Sequence, residues 1–149
     1  MTWKGARPAM EKYRILPHTA DGKFQAYGRT LEEAFANAAL ATASLMWDPG
    51  GIARKIQIPV IARGRDLEQL LVRFLGEILY LVESRFFLLG SAEETKIEKQ
   101  EVEYTLEAVF WGDTGSDAYE THGGVKAVTY NEMKITKNDG YTVQVVVDV

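Results

Sequence analysis

The sequence predicts an α+β fold, with two helices in the first part of the chain and strands filling the second. Apolar residues recur at helical spacing from Leu31 to Leu45 and again from Leu67 to Val82, and they alternate with period two from about Ile97 onward. Helices do not keep alternating with strands, as a doubly wound parallel sheet would require. The expected architecture is a compact single-domain sandwich, a mixed or antiparallel sheet backed by the two main helices.

Taken in order, residues 1–10 show no periodicity and are expected to form a disordered extension, leaving 11–149 as one domain. Phe24–Gly28 reads as a short strand. Thr30 with Glu33 forms a capping box, hydroxyl and carboxylate satisfying backbone N–H groups that the first helical turn leaves without partners. Leu31, Phe35, Ala38, Thr42 and Leu45 then share one face, and Asp48-Pro49-Gly50-Gly51 ends the helix. Ile56, Ile58 and Val60 alternate with Gln57 and Pro59, and the proline assigns this strand to a sheet edge. Asp66 caps the second helix with Gln69. Its apolar positions cover more than half its circumference, which predicts the more deeply buried of the two helices. Val102, Tyr104, Leu106, Ala108 and Phe110, alternating with Glu103, Thr105, Glu107 and Val109, mark the next strand. Another begins near Val125 and runs to about Thr136, with Lys126 and Val128 on the face opposite Val125 and Ala127. Asn138-Asp139-Gly140 signals a hairpin. The last strand sets Tyr141, Val143, Val145, Val147 and Val149 against Thr142, Gln144, Val146 and Asp148.

With 149 residues, 46% of them hydrophobic and 26% charged, the chain has the composition of a globular domain and not of a disordered one. The absence of cysteine excludes disulfides, thiolate metal sites and cysteine nucleophiles. The apolar-rich stretch Leu67–Leu89 is interrupted by six charged or amide side chains and is not a bilayer span. The first ten residues lack the apolar run of a signal peptide, and a cytoplasmic location without membrane contact is expected. The net charge of −4 is unevenly spread. Residues 1–14 carry +3, 15–90 and 121–149 balance, and 91–120 carry −7, with nine acids against Lys96 and Lys99. No broad basic face for a nucleic-acid backbone emerges from this distribution.

Walker, dinucleotide-binding, zincin and nucleophile-elbow motifs are all missing. His18 and His122 are too few and too far apart for a histidine metal site, which leaves oxygen ligation. In His18-Thr19-Ala20-Asp21-Gly22 an Asp beside a Gly offers a carboxylate at a tight turn. The plainer reading is an Asx turn. At Val147-Asp148-Val149 a side-chain carboxylate is followed by the α-carboxylate of residue 149, and two such anions suit a hard cation. A frayed terminus is the alternative, although the strand stays apolar to its last residue. The loop from Gly112 to His122 holds Asp113 and Asp117 without the spacing of a calcium loop and reads as a solvated connector. Lys126 is either a plain surface lysine or one aimed at an anionic site.

These segments together resemble the archease family. The resemblance runs from about Lys12 to Val149. It rests on Tyr13-Arg-Ile-Leu-Pro-His-Thr-Ala-Asp21, Ala26-Tyr-Gly-Arg-Thr-Leu-Glu-Glu-Ala-Phe-Ala-Asn-Ala-Ala39, Asp66-Leu-Glu-Gln-Leu-Leu71, Val125-Lys-Ala-Val-Thr-Tyr130 and the terminal Val-Val-Asp148-Val149. It implies a protein cofactor of the RtcB-type RNA ligase and not an enzyme in its own right. Such a cofactor promotes ligase guanylylation, multiple turnover and broader nucleotide use in tRNA splicing and RNA repair, with RNA met indirectly through the ligase. It further implies a divalent metal (Ca²⁺, Mg²⁺ or Mn²⁺) held by Asp21, Asp148 and the Val149 carboxylate, with Lys126 and His18 as contacts to phosphate or ligase. Three carboxylates converging at low dielectric would need such a cation. Lys23 departs from the family pattern by setting a cation close to Asp21, and Asn131 stands where many members carry His. The competing readings are an autonomous carboxylate–metal hydrolase or phosphotransferase, and a chaperone or adaptor for other RNA-modifying enzymes. The acidic 91–120 stretch is expected to dock on a basic ligase surface.

Overall fold

The computed structural model describes residues 11–17 and 22–149; the expected extension, residues 1–10, and the His18–Asp21 motif lie outside that range. The described chain runs β1 (Tyr13–Leu16), β2 (Gly22–Gly28), α1 (Leu31–Ser44), a 3-10 turn (Pro49–Gly51), β3 (Ile56–Gly64), α2 (Leu67–Arg85), β4 (Phe87–Lys99), β5 (Tyr104–Thr114), β6 (Ala127–Lys137) and β7 (Tyr141–Asp148). Every ladder is antiparallel. The strands form two sheets, one in the order β1-β2-β7-β6 and one in the order β3-β5-β4.

The helices lie between these sheets. α1 packs on β1, β2 and β7 from one side and on β4 from the other, while α2 packs on β6 and on β3, β4 and β5. No strand of one sheet touches a strand of the other among the described residues. The α+β sandwich is therefore as expected, with a second sheet on the far side of the helix layer.

Both helices touch both sheets, yet one expectation is corrected. α1, not α2, is the more deeply buried helix, with seven of its 14 residues buried against six of 19 in α2. Five of the seven are alanines (Ala34, Ala38, Ala39, Ala41 and Ala43), whose small side chains let both sheets approach closely. α2 instead leaves Arg73, Tyr80 and Glu83 exposed.

Both helices start where their caps predict. Thr30 Oγ1 accepts from Glu33 N at 3.1 Å, and Asp66 Oδ1 accepts from Gln69 N at 2.8 Å. The returning bonds land one residue earlier than in the standard box, from Arg29 N to Glu33 and from Arg65 N to Gln69. Phe74 ties the layers together, with ring centroids 6.4 Å from Phe35 of α1 and 5.6 Å from Phe110 of β5.

β3 is a sheet edge, as its proline requires, with Ile58, Val60, Ala62 and Gly64 inward and Gln57, Pro59, Ile61 and Arg63 outward. In the other sheet β6 carries extra residues between Thr129 and Lys134. They arch over β7: the Glu132 carbonyl accepts from Gln144 Nε2 at 2.8 Å, and its carboxylate reaches Lys23 of β2 at 2.9 Å. β7 is consequently buried on both faces, Gln144 and Val146 included. No helix among the described residues is long and apolar enough to cross a membrane.

Candidate functional site at the end of the last strand

β7 is the central strand through which the ends of the chain meet. The hairpin at Asn138–Gly140 launches it, with Asp139 and Gly140 at φ 54° and 120° and Asn138 N donating to Gly140 O at 2.8 Å. Three inward valines (Val143, Val145 and Val147) then anchor the strand in the core. This holds the final turn of chain in place and argues against a frayed terminus.

At its far end, Gly22 pairs with Val147 and Ala127 with Asp148. The Asp148 carbonyl accepts from Lys126 N at 2.7 Å. Residue 22 has to be small. A Cβ there would sit 3.0 Å from Val147 Cγ2, 3.1 Å from Leu45 Cδ1 and 3.6 Å from Val149 Cγ1. The close approach brings the chain directly after Asp21 onto the end of β7.

Asp148 alternates with the inward Val147 and so lies on the face away from the helices. Both Asp148 and Val149 are exposed. The described part of the expected cluster thus lies at an end of β7 that opens to solvent, where screening softens repulsion between carboxylates. No three His, Asp or Glu side chains come together at metal-binding distance among the described residues. The described donors are the adjacent carboxylates of Asp148 and Val149, oxygen ligands suited to a hard divalent cation. Asp21 and His18 lie outside the described residues.

Lys23 stands opposite Val146, on the same sheet face as Asp148, but its ammonium is held by Glu132. The cation that the sequence sets near the acidic end is thus already engaged elsewhere. Lys126 behaves otherwise than strand alternation predicts. β6 begins only at Ala127, and Lys126 is exposed while Val125 and Val128 both pack on the core. It belongs to the loop before the strand and borders a cleft between that loop and the end of α2.

The acidic 91–120 stretch occupies β4, β5 and the loop after them, and part of its charge is paired. Arg54 meets Glu93 at 2.8 Å and stacks 3.8 Å above the Trp111 ring, Arg63 lies 3.7 Å from Glu103, and Lys55 lies 3.9 Å from Asp113. Hydrogen bonds from Arg54 and then Ser91 hold the Glu93 carboxyl below its ordinary range. Asp113 is an anchor and not a ligand. The Tyr119 hydroxyl donates to its Oδ2 at 2.6 Å and accepts from Ala53 N at 3.2 Å, pinning the connector loop onto the approach to β3. That bond, with smaller help from Thr114 N and Lys55, lowers the Asp113 pKa. His122 contributes its backbone, donating to Met46 O at 2.8 Å.

Sequence reasoning did not anticipate β1, β4 as a separate strand, the arch of β6 or the cleft beside Lys126, and Val102, expected in a strand, lies in the exposed turn between β4 and β5. β1 is only four residues long, and β4 follows α2 after the single residue Phe86, so its apolar start merges with the helix pattern.

The Archease protein family model matches residues 13–149. The chain is 42% identical to protein archease of Methanosarcina acetivorans over 143 residues, covering 93% of this chain and 97% of that one. It is 37% identical to protein archease of Sulfolobus acidocaldarius over 142 residues, covering 94% and 100% respectively. Among solved structures, the solution structure of Methanobacterium thermoautotrophicum protein 1598 matches with a TM-score of 0.80 at 30% identity, covering 94% of this chain and 100% of that one.

Proposed function

The chain belongs to the archease family, and from that premise we propose that it is a metal-binding protein cofactor of an RtcB-type RNA ligase, promoting guanylylation, multiple turnover and broader nucleotide use in tRNA splicing and RNA repair. The observation that carries this reading is the family match over residues 13–149, which includes both Val125–Tyr130 and the acidic end of β7. On this reading it is an accessory protein, cytoplasmic with its ligase, and the ligase supplies the covalent chemistry.

Asp21, Asp148 and the Val149 carboxylate are the residues that would hold the cation. When bound, a hard divalent ion supplies charge neutralisation for phosphate or pyrophosphate oxygens. The chain's own part is positional. β7 holds Asp148 by its backbone, between Gly22 and Lys126, so the carboxylate is presented from a rigid strand. Lys126, exposed beside it, is placed to meet phosphate or an acidic group of the ligase.

The test is ligation by a cognate ligase with and without this protein. Asp148→Ala is expected to reduce stimulation by at least about tenfold, as loss of a charge-bearing ligand worth ~1.5–3 kcal/mol implies. Residues appended after Val149 should have a similar effect, because they move the carboxylate. Full stimulation by either variant overturns the metal assignment. Nucleotide turnover by the purified protein alone would instead favour the autonomous hydrolase.

A further inference from the structure

Beside the acidic end of β7 lies a cleft of about 490 Å³ that shares only Lys126 with the metal and ligase reading above. That volume falls in the range of small-molecule sites. Its apolar wall comes from the turn just after α1 (Met46, Trp47) and the last turns of α2 (Leu79, Val82). Trp47 is locked there, its indole N–H donating to Leu89 O at 2.9 Å. Glu83 lines one part of the cleft, and the loop Gly123-Gly124-Val125-Lys126 lines another.

Two details point to what it takes. Phe86, which closes α2, adopts the left-handed conformation (φ 50°, ψ 40°), a position normally given to glycine. Its ring packs on Gly115, where any Cβ would come within 2.5 Å of the ring, and the side chain stays 49% exposed while lining the cleft. A strained backbone and a side-chain-free neighbour thus fix an aromatic surface at the mouth. Across from it, the N–H groups of Gly123, Gly124 and Val125 take no hydrogen bond among the described residues, and the Lys126 side chain is exposed beside them. Consecutive free backbone donors next to an ammonium group suit an anion.

We propose that this cleft binds a nucleoside phosphate, its base against Phe86 and the apolar wall and its phosphate on the 123–126 loop and Lys126. A base presents a flat π-face for an aromatic platform and N–H donors for the Glu83 carboxylate. The proposal shares Lys126 with the ligase reading but does not rest on it, since it predicts binding by the protein alone and without metal.

Adenosine and guanosine monophosphates are titrated into the full chain in the presence of a chelator, with adenosine and inorganic phosphate as the separate halves. A short RNA with a terminal phosphate, used as competitor, distinguishes a free nucleotide from an RNA end as the source. At least one monophosphate is expected to bind about tenfold more tightly than either half. Phe86→Ala should weaken it about tenfold through lost stacking, and Lys126→Gln should weaken the monophosphate but not adenosine. An added Cβ at Gly124 meets nothing within 4 Å, so Gly124→Leu can fold normally and fill the mouth, and it should abolish binding. Absence of binding by the wild-type chain overturns the proposal, as does unchanged binding by folded Phe86→Ala and Gly124→Leu. If Gly124→Leu blocks ligase stimulation in a protein that binds no nucleotide, the cleft receives a partner side chain instead.

Discussion

Asp113, which the sequence reads as part of a solvated connector, lies near the end of β5 and serves as a structural anchor. The Tyr119 hydroxyl donates to its carboxylate and lowers its pKa, and the same hydroxyl secures Ala53 N. A depressed folded pKa means stabilisation that is fully present above the ordinary Asp value of about 3.9 and is lost as pH falls through the lower folded value. Asp113→Asn should therefore have a lower Tm than wild type at pH 7. That gap should close progressively below about pH 4, where the wild-type carboxyl becomes neutral as well. Circular-dichroism melts from pH 7 to pH 2 measure it, and a gap independent of pH would remove the charge from the explanation. Lys23 carries a related lesson. Its charge sits close to the acidic end of β7 in sequence register, yet Glu132 reaches across a strand to hold it.

The two helix starts were legible at the level of elements because a cap is a local event. Thr30 and Asp66 need only the next three residues to act. Thr30→Ala should cost about 1 kcal/mol, read as a shift of the urea midpoint without a change in slope. Close approaches between strands leave a fainter mark. Gly112 of β5 is an ordinary glycine in sequence, but a Cβ there would lie 2.0 Å from the Leu88 carbonyl. Gly112→Ala should thus cost several times more than the cap, about 3 kcal/mol or above, in the same titration. A cost equal to that of the cap would mean that β4 can move aside. Period and turn chemistry made the last three strands and the β3 edge readable. The burial ranking of the helices failed because periodicity reports how wide an apolar face is, not how closely the neighbouring elements approach it. The alanines of α1 look weakly hydrophobic until a sheet is found on each side. At the candidate site Asp21 and the adjacent carboxylates of Asp148 and Val149 were legible as candidates from local chemistry, while joining them into one set came only from family resemblance. The solvent-open end of β7, the loop position of Lys126 and the cleft arise from long-range pairing that no local pattern encodes.

For the whole molecule, the −7 of residues 91–120 overstates what a partner meets, because Arg54, Lys55 and Arg63 from one edge of the same sheet lie against three of the nine acids. Association with the proposed ligase partner should still slow as salt rises, by less than nine free carboxylates would give. Stopped-flow rates at increasing ionic strength measure this, and an indifferent rate would argue against electrostatic docking. The placement of β7 between β2 and β6 also has a kinetic consequence. Gly22 pairs with Val147, a loop of more than a hundred residues, whereas the β4–β5 pairing closes over a short hairpin. Loop-closure entropy delays the longer pairing. The two sheets should therefore mature in order, with β4 and β5 protected early in refolding and β2 late. Pulsed hydrogen exchange resolves that sequence of events. If it holds, the acidic end of β7 is among the last parts of the molecule to be assembled, and a chain that has formed only the β3-β5-β4 sheet lacks the proposed cation site altogether.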